Sequence, residues 1–484
     1  MNPSVVNSPE YAAGIREGMT NIGSISLVTD LKNLFDPETG IYVNAKLGDG
    51  EEWERPTSVE LIDPVNGEEF QIEAGLRIRG ASSRSPIVAK HSFRLFFRPR
   101  YGGELEFPLF GEEGASVFTK VDLRTSQTYS WAQGSGFSQD TFIRETFCRD
   151  SQRDFGMPYT RSRYYHLYLN GQYWGLYQTQ ERGDADFAST YCGGKPDDWD
   201  AIKTSYPLYV TRPVDGSMEH FANLWNIAVN RGFAGVFATN YCWIEGKGPD
   251  GTPIAGAPVY LDRENLFSYM LITYWTRDAD CPIVCVAGSP CVPNNLSCIY
   301  NRTDPDGFKW LKHDGERSMG VDRRYGAEAD PTPYGWELNN KAGFNPTRLH
   351  QKLMDHPDYR MAWADFVRKA MLDEDGALSV RQSLERWNRR QAELDTAIIM
   401  ESARWGHGCT RKTWLEECDY VKTEFIPKSG GYLLEYMRDR GWFPKVDAPV
   451  ILDRRTTEEG SIILMVEGQA PVYYMTNGED PRLP

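Results

Sequence analysis

Residues 164–179, YYHLYLNGQYWGLYQT, carry the clearest structural signal in the chain. Aromatic and aliphatic residues, which favour strands, flank the central pair Asn170-Gly171. A two-residue type I′ turn needs positive φ angles at both positions, and Asn-Gly adopts them readily. The stretch therefore predicts two antiparallel strands, Tyr164–Leu169 and Tyr173–Thr179, joined by a tight turn.

Strand patterns dominate the chain before this hairpin. A strand is predicted over Ser24–Val28, and alternating stretches continue to about Leu123, which predicts a twisted antiparallel sheet. A helical pattern over Gln139–Phe155 then ends at Gly156 and Pro158.

Helical spacing dominates the chain after the hairpin. Apolar residues recur at intervals of three and four, and the predicted helices are 217–229, 263–276, 348–372, 379–404 and 415–441. Alternation returns beyond Pro444, where three strands are predicted at 448–452, 460–466 and 471–475. The chain is therefore expected to be an α+β protein with a fragment of a β-module at its end.

Composition limits the classes of function. The chain has 484 residues, 40% of them hydrophobic, which is enough for two or three domains. Its net charge of -15 argues against nucleic-acid binding, which needs a cationic surface. No apolar run approaches the roughly 18 residues of a membrane span, and Met1–Asp30 lacks the pattern of a signal peptide.

Six of the nine cysteines fall into two local groups, Cys281, Cys285, Cys291 and Cys298, then Cys409 and Cys418. Such grouping is typical of loops held by disulfides in an oxidising compartment. Buried free thiols are a second interpretation. A zinc site is a third, although the spacing lacks the paired CxxC of ordinary zinc sites.

An acidic segment, Lys309–Ser318, places Asp314 and Glu316 at alternate positions just after an apolar stretch. The glycine between them lets the backbone turn, so both carboxylates could approach one hard cation such as Mg²⁺ or Mn²⁺. A solvated turn is the competing interpretation, because short acidic motifs also arise by chance.

A basic turn lies earlier in the chain than this acidic segment. Arg77–Ser85 contains Arg79, Ser82 and Ser83, and Lys90 follows it. Small residues at such a turn expose backbone N–H groups, and a nearby ammonium can add to them to hold the phosphates of a nucleotide. A plain basic hairpin would look the same in sequence.

Taken together, these segments resemble the CotH kinase family. The resemblance runs from about Val5 to Pro444 and rests on the following segments: 33–44, 77–84, 90–94, 164–181, 314–316 and 398–405. It implies an atypical protein-kinase-like domain over residues 22–445. A β-rich lobe at about 22–185 would precede a mainly helical lobe at about 186–445. Residues 1–21 would be an extension, and 446–484 resemble a truncated chitobiase-type β-module.

The resemblance also implies roles for named residues. Lys90 would hold the α- and β-phosphates of ATP, with Arg79, Ser82 and Ser83 beside them. Asp314 would bind the metal, and Glu316 would be a second ligand or a supporting carboxylate.

The base would be Asp280, with Asp278 as a rival. Asn295 would assist the metal, provided that a disulfide closing the cysteine-bearing insert brings it beside Asp280. Glu181 is preferred to Glu145 as the glutamate of the site, and Glu145 is expected on a helix surface.

The implied function is transfer of the γ-phosphate of ATP, with Mg²⁺ or Mn²⁺, to serine or threonine of exported or surface proteins. The alternative is an inactive extracellular binding module associated with carbohydrate-active or cell-surface proteins, with glycans bound through neighbouring modules. Metal-dependent hydrolysis at Asp314 is a third interpretation, for which no water-activating constellation is evident. The expected location is extracellular, as part of a larger exported protein.

Overall fold

The computed structural model describes residues 1–126, 129–134, 137–205, 209–285, 291–332, 343–457, 462–475 and 481–482. Strands are concentrated before residue 216, and most of the longer helices lie between 263 and 439, interrupted by the four short strands described between 283 and 310. This mixed content confirms the predicted α+β class.

The strands of the described residues are numbered in chain order. They are β1 Ser24–Val28, β2 Arg55–Ile62, β3 Glu69–Arg79, β4 Ser92–Phe96, β5 Leu105–Glu106, β6 Val117–Phe118, β7 Lys120–Arg124, β8 Tyr164–Leu169, β9 Gln172–Gln180, β10 Trp199–Ser205, β11 Val210–Asp215, β12 Ile283–Val284, β13 Val292–Pro293, β14 Ser297–Asn301, β15 Lys309–Trp310, β16 Val450–Thr456 and β17 Ile462–Glu467.

The N-terminal sheet closes on itself in the order β1-β2-β3-β4-β7-β9-β8. The predicted hairpin is present as β8 and β9, and Asn170 and Gly171 have φ angles of 49° and 77°. The closing pair is parallel, with Ser24 opposite His166. The sequence predicted a twisted antiparallel sheet but not its closure, because local alternation carries no information about a pairing between strands so far apart in sequence.

The helices of the described residues are also numbered in chain order. They are α1 Pro3–Val6, α2 Ala12–Gly18, α3 Leu31–Phe35, α4 Arg144–Asp154, α5 Ala185–Cys192, α6 Glu219–Trp225, α7 Asn240–Ile244, α8 Arg263–Thr276, α9 Pro346–Leu353, α10 Pro357–Met371, α11 Val380–Leu394, α12 Ile398–Trp405, α13 Arg411–Tyr420 and α14 Ile426–Asp439.

Two of the predicted long helices are each divided in two. The 348–372 helix ends at Leu353 and restarts at Pro357, because proline lacks the N–H that would continue the ladder. The 379–404 helix breaks between Leu394 and Ile398. The third extends further back than predicted, starting at Arg411, with a π-helical segment between α13 and α14.

Two large hydrophobic cores divide the main part of the chain. The first fills the barrel of strands, with Leu27, Val59 and Leu76 fully buried. The second surrounds α8, whose residues from Asn265 to Thr276 are all buried against neighbouring helices. A helix without an exposed face is expected at the centre of a large helical core.

The C-terminal segment forms the hairpin β16–β17, and most of its described side chains are exposed. The third predicted strand, 471–475, is wrong, since these residues adopt no regular structure and lie in solvent. Among the described residues, none of the helices has both the length and the apolar composition that crossing a bilayer requires.

Candidate active site

A cavity of about 640 Å³ lies between residues of the barrel and residues from 203–212, 280–297 and 311–317. Its size falls in the range of small-molecule sites. The β3–β4 turn, β7 and the segment after β9 line one side, and residues from 280–297 and 311–317 line another. The predicted site residues that line it are Arg79, Ser82, Ser83, Glu181, Asp280, Asn295, Asp314 and Glu316.

Asp280 and Asn295 meet although fourteen residues separate them in sequence. The Asn295 amide donates to Asp280 Oδ2 at 2.9 Å, and Asn294 Nδ2 donates to the Asp280 carbonyl oxygen at 3.1 Å. The left-handed backbone of Asn295, with φ of 52°, turns the chain back toward Asp280.

The disulfide expected to close this insert lies elsewhere. The observed bond joins Cys285 to Cys291, whereas Cys281 and Cys298 are buried free thiols. Hydrogen bonds close the base of the insert instead, including one from Asn294 N to Pro282 O at 2.8 Å. Cys409 and Cys418, predicted as a second pinned loop, are also free and buried, because each is enclosed in the helical core.

Asp280 is a cavity carboxylate with a raised pKa. Burial, with the negative charges of Asp314 and Asp278, raises this pKa to about 7. Its rival Asp278 is fully buried in an ion pair with Lys312, with 2.8 Å between Lys312 Nζ and Asp278 Oδ2. Asp278 does not line the cavity, so its carboxylate is committed to a structural contact.

Asp314 and Glu316 both bind Arg124, the last residue of β7. Arg124 Nε donates to Glu316 Oε1 at 3.1 Å, and Arg124 Nη2 contacts Asp314 Oδ1. Burial opposes ionisation of Asp314, but the Arg124 guanidinium outweighs it and holds the pKa of Asp314 well below its usual range. Burial raises the pKa of Glu316 well above its ordinary value.

Glu145, on α4, contacts the turn that carries Asp314 and Glu316, which we call the acidic turn. Its carboxylate accepts a hydrogen bond from Gly315 N and lies 3.2 Å from Arg149 Nε. The side chain is 2% exposed, so the expectation of a surface position was wrong. Helix α4 is buried along most of its length because it lies between the barrel and the helical core.

Glu181 lines the cavity but directs its carboxylate to other partners. Arg161 binds it at 3.2 Å, and the Tyr191 hydroxyl donates to it. Burial raises the pKa of Glu181, which these contacts only partly offset. Of the two candidate glutamates, Glu145 is therefore the one in contact with the Asp314–Glu316 turn.

Lys90 lies outside the cavity. Its ammonium is fully buried, 2.6 Å from Glu401 Oε1 on α12, and it donates to the Leu176 carbonyl at 2.8 Å. This position does not fit the predicted contact with nucleotide phosphates, because the Lys90 ammonium is buried and already paired with Glu401. The cation beside the acidic turn is Arg124, which the sequence reasoning missed.

The predicted phosphate-binding turn is held in place from two sides. Arg79 Nε donates to Asp122 Oδ2 at 2.7 Å, and Arg79 Nη2 lies 3.3 Å from His313 Nε2. His91 Nδ1 lies 3.0 Å from the carbonyl oxygen of Ser83, which is buried. Gly80 has φ of 113°, a value that L-residues rarely adopt, and it begins the turn.

The sequence was compared with models of protein families. The model described as CotH kinase protein matches residues 76–441, well over half of the chain. The matched span begins within β3 and ends just after α14. It therefore includes Asp280, Asn295, Asp314 and Glu316, which we call the acidic side of the cavity. No matching curated protein was found.

Proposed function

This chain belongs to the CotH kinase protein family, and we propose that it is a kinase-like phosphotransferase that moves the γ-phosphate of ATP to a serine or threonine hydroxyl. The observation that carries the proposal is the grouping of Asp280, Asn295 and Asp314 in one cavity. A protein kinase needs an aspartate base together with an aspartate and an asparagine for its metal ions, and these residue types meet here.

Asp280 would act as the base. The acceptor oxygen would form a bond to the γ-phosphorus while the bond from that phosphorus to the leaving ADP oxygen breaks, and the hydroxyl proton would pass to Asp280. A carboxylate with a pKa near 7 binds a proton more strongly than an ordinary aspartate, which suits this task at neutral pH.

The oxygen donors of the acidic side fit a hard divalent cation. Carboxylate and amide oxygens are the protein ligands of Mg²⁺ and Mn²⁺, and the candidates are Asn295, Asp314 and Glu316. Asn294 Oδ1 is buried without a hydrogen-bond partner, which leaves one further donor oxygen. Within the described residues no group of three or more His, Cys, Asp or Glu surrounds a common point, so phosphate oxygens would complete the shell. A bound cation would neutralise charge on the phosphates.

Arg124 would take the phosphate-binding role that the sequence suggests for Lys90. Its Nη1 atom is buried and has no hydrogen-bond partner among the described residues. Glu145 would orient the Asp314 turn through its bond to Gly315. Ser82 and Ser83 would add polar contacts from the β3–β4 turn, and Arg79 would add charge.

We further propose a kinase-like two-lobed architecture. The barrel, within about 22–185, would be the first lobe, and about 186–445 the second, with the cavity between them. Residues 1–21 would be an extension, and the hairpin β16–β17 would belong to a separate β-module of chitobiase type, residues 446–484.

An exported protein is the proposed acceptor, and an extracellular or surface site the proposed location. The Cys285–Cys291 disulfide supports this, because such bonds persist in oxidising compartments. Glycans bound through neighbouring modules are a further proposed partner.

The test is transfer of labelled γ-phosphate from ATP, with Mg²⁺ or Mn²⁺, to the protein and to a serine-rich acceptor. Asp280→Asn and Asp314→Ala should each lower the rate by at least about 10²-fold, since each removes a group that acts on the reacting atoms. Glu435→Gln, an exposed position on α14, is the matched control and should leave the rate unchanged. Full activity in both site variants would contradict the proposal.

One observation favours a second function, a binding module without turnover. Arg124 already occupies both Asp314 and Glu316, the two carboxylates that a cation would need. ATP that raises the melting temperature while no phosphate is transferred under any metal would support this alternative.

A further inference from the structure

Besides the exposed Arg212 on β11, three cations from separate elements line the cavity on the side of the β10–β11 hairpin. They are Arg94 on β4, Arg182 after β9 and Lys203 on β10, and we call them the basic end of the cavity. The side chains of Arg94 and Arg182 are 21% and 22% exposed, so both are largely removed from solvent.

The carboxylates in contact with the guanidinium groups of the basic end are shared with other cations. Asp122 accepts from Arg94 Nη2 at 2.9 Å and also from Arg79 Nε at 2.7 Å. One carboxylate therefore serves two guanidinium groups.

The second nearby carboxylate is shared in the same way. Asp184 Oδ2 lies 3.5 Å from Arg182 Nε and 3.0 Å from Lys120 Nζ, and Lys120 is also 2.9 Å from Asp186 Oδ2. Lys203 makes no ion pair or hydrogen bond through its ammonium within the described part of the chain. Asp122 and Asp184 are thus each shared between two cations, and Lys203 has no carboxylate partner among the described residues.

Lys203 responds to different charges from those at the acidic side. Burial, followed by the guanidinium groups of Arg182 and Arg94, lowers its pKa to about 7, with a partial offset from Asp184 and Asp122. The charges that act on Asp280 come instead from Asp314, Asp278 and Arg317. The charges that act most strongly on Lys203 therefore differ from those that act on Asp280, although Arg79 responds both to Arg94 and to Asp314.

Clustered cations in a partly desolvated cavity repel one another unless an anion joins them. The same repulsion disfavours a cation such as Mg²⁺ beside Lys203. Guanidinium and ammonium groups are the usual protein donors to phosphate, so a phosphate group would supply the anionic partner that Lys203 lacks among the described residues.

We infer that the basic end is a second phosphate-binding subsite, which takes a phosphomonoester group without a metal ion. The group would come from a ligand with a phosphate beyond those held at the acidic side. Two sources share this chemistry, a phosphate on the ribose of a nucleotide and a phosphoserine already present on the acceptor. The inference concerns binding alone, so it stands or falls separately from phosphoryl transfer.

Calorimetric titration of the full chain, without divalent metal, tests the inference. The nucleotide probes are adenosine 2′,5′-bisphosphate and adenosine 3′,5′-bisphosphate, each compared with AMP. The peptide probe is a phosphoserine peptide compared with its unphosphorylated form. At least one phosphorylated probe should bind tighter than its parent by about tenfold or more, and whichever does identifies the source.

Lys203→Met decides whether the advantage belongs to this site. The variant keeps most of the apolar stem, and Lys46→Met, at an exposed lysine on the barrel side, is the matched control. The advantage should fall to less than about threefold in Lys203→Met and persist in Lys46→Met. Removal of the Lys203 ammonium, which neighbouring cations repel, should leave the melting temperature of Lys203→Met unchanged or higher. A loss of binding could then not be explained by misfolding.

Equal affinities for all three phosphorylated probes and their parents would overturn the inference. So would an advantage that survives Lys203→Met. Probe binding without any phosphate transfer from ATP would instead refute the proposed function and leave the subsite intact.

Discussion

At the scale of single residues, the main lesson is that the cation nearest to the acidic turn is Arg124 and not Lys90. Both residues flank short strands of the same barrel, but β7 ends at the cavity, whereas Lys90 precedes β4 and faces α12. An arginine binds two carboxylates at once through its planar fork, which a lysine cannot reproduce.

Substitution of Arg124 should therefore reduce phosphate transfer. Arg124→Met removes the charge that faces Asp314 and Glu316, and we expect a loss of about 10²-fold in kcat/KM, the usual size for a group that stabilises developing charge. Arg124→Lys should lose less, because it keeps the charge but not the fork. Steady-state kinetics with varied ATP checks this, and equal rates in the three proteins would contradict it.

Asp140 makes the stability of the protein depend on pH. Burial raises its pKa to about 8, and its Oδ2 atom is buried without a hydrogen-bond partner. The folded state therefore keeps a proton that the unfolded chain releases above its ordinary pKa near 4. The stability from this proton is complete below about pH 4 and is lost as the pH rises toward 8.

Asp140→Asn should remove this dependence. We expect the variant to be at least about 1 kcal/mol more stable than the parent at pH 8, where Asp140 has lost most of its proton advantage, and to differ little near pH 4. Urea unfolding at a series of pH values measures this. Parallel stability curves for the two proteins would show that Asp140 is not the source.

At the scale of elements, the buried Lys90–Glu401 pair joins the barrel to α12. Glu401 Oε2 also accepts from Leu176 N at 2.7 Å, so Lys90 and Glu401 together bind both sides of one residue of β9. Gly175 lies against them with φ of 139°, and a Cβ there would come within 2.7 Å of Lys90 Cε. This contact explains why the glycine lies between Trp174 and Leu176.

Breaking the pair on one side should be costly. Lys90→Met leaves Glu401 buried without its cation, and we expect a loss of about 3–5 kcal/mol in the free energy of unfolding. The double variant Lys90→Met/Glu401→Gln should recover part of this loss, because no uncompensated charge remains. Chemical denaturation of the parent, Lys90→Met, Glu401→Gln and the double variant gives the coupling energy between the two side chains. Additive losses in the free energy of unfolding would contradict the prediction.

The insert between Asp280 and Asn295 gives a second prediction at this scale. Hydrogen bonds from Asn294 and Asn295 to Asp280 hold its base, and the Cys285–Cys291 bond lies further out. Cys285→Ser/Cys291→Ser should therefore change the transfer rate by less than about threefold, with a modest fall in stability for so short a loop. A rate loss comparable to that of Asp280→Asn would show that the disulfide positions the site.

At the scale of the whole molecule, the sequence predicted the α+β class and the β8–β9 hairpin, because both depend on local patterns. It also indicated Asp280, Asn295 and Asp314, which the fold brings to one cavity. The parallel closure of β1 on β8 and the burial of Glu145 were not predictable. Each depends on contacts between distant segments, which periodicity and turn chemistry do not encode.

The same limit explains the errors near the C-terminus. Alternating apolar residues predicted three strands after Pro444. Among the residues that the structure describes, however, β16 and β17 pair only with each other, and Val450, Ile451 and Tyr473 are 59%, 59% and 78% exposed. Alternation records a tendency to form strands, whereas a stable sheet also needs a surface on which to bury one face.

A chain that ends at Val446 should consequently fold as well as the full chain. Ion pairs between Arg438 and Asp447 and between Arg482 and Asp365 join the segment after Val446 to the rest of the described residues, and their side chains are 29–63% exposed. Exposed pairs of this kind contribute at most about 1 kcal/mol each.

The truncated chain should melt within about 3 °C of the full chain, as judged by the usual relation between free energy and melting temperature for large domains. Its transfer rate should be unchanged, since no cavity residue is removed. Calorimetry and the ATP assay measure both quantities, and a large fall in melting temperature would place the hairpin within the folded domain.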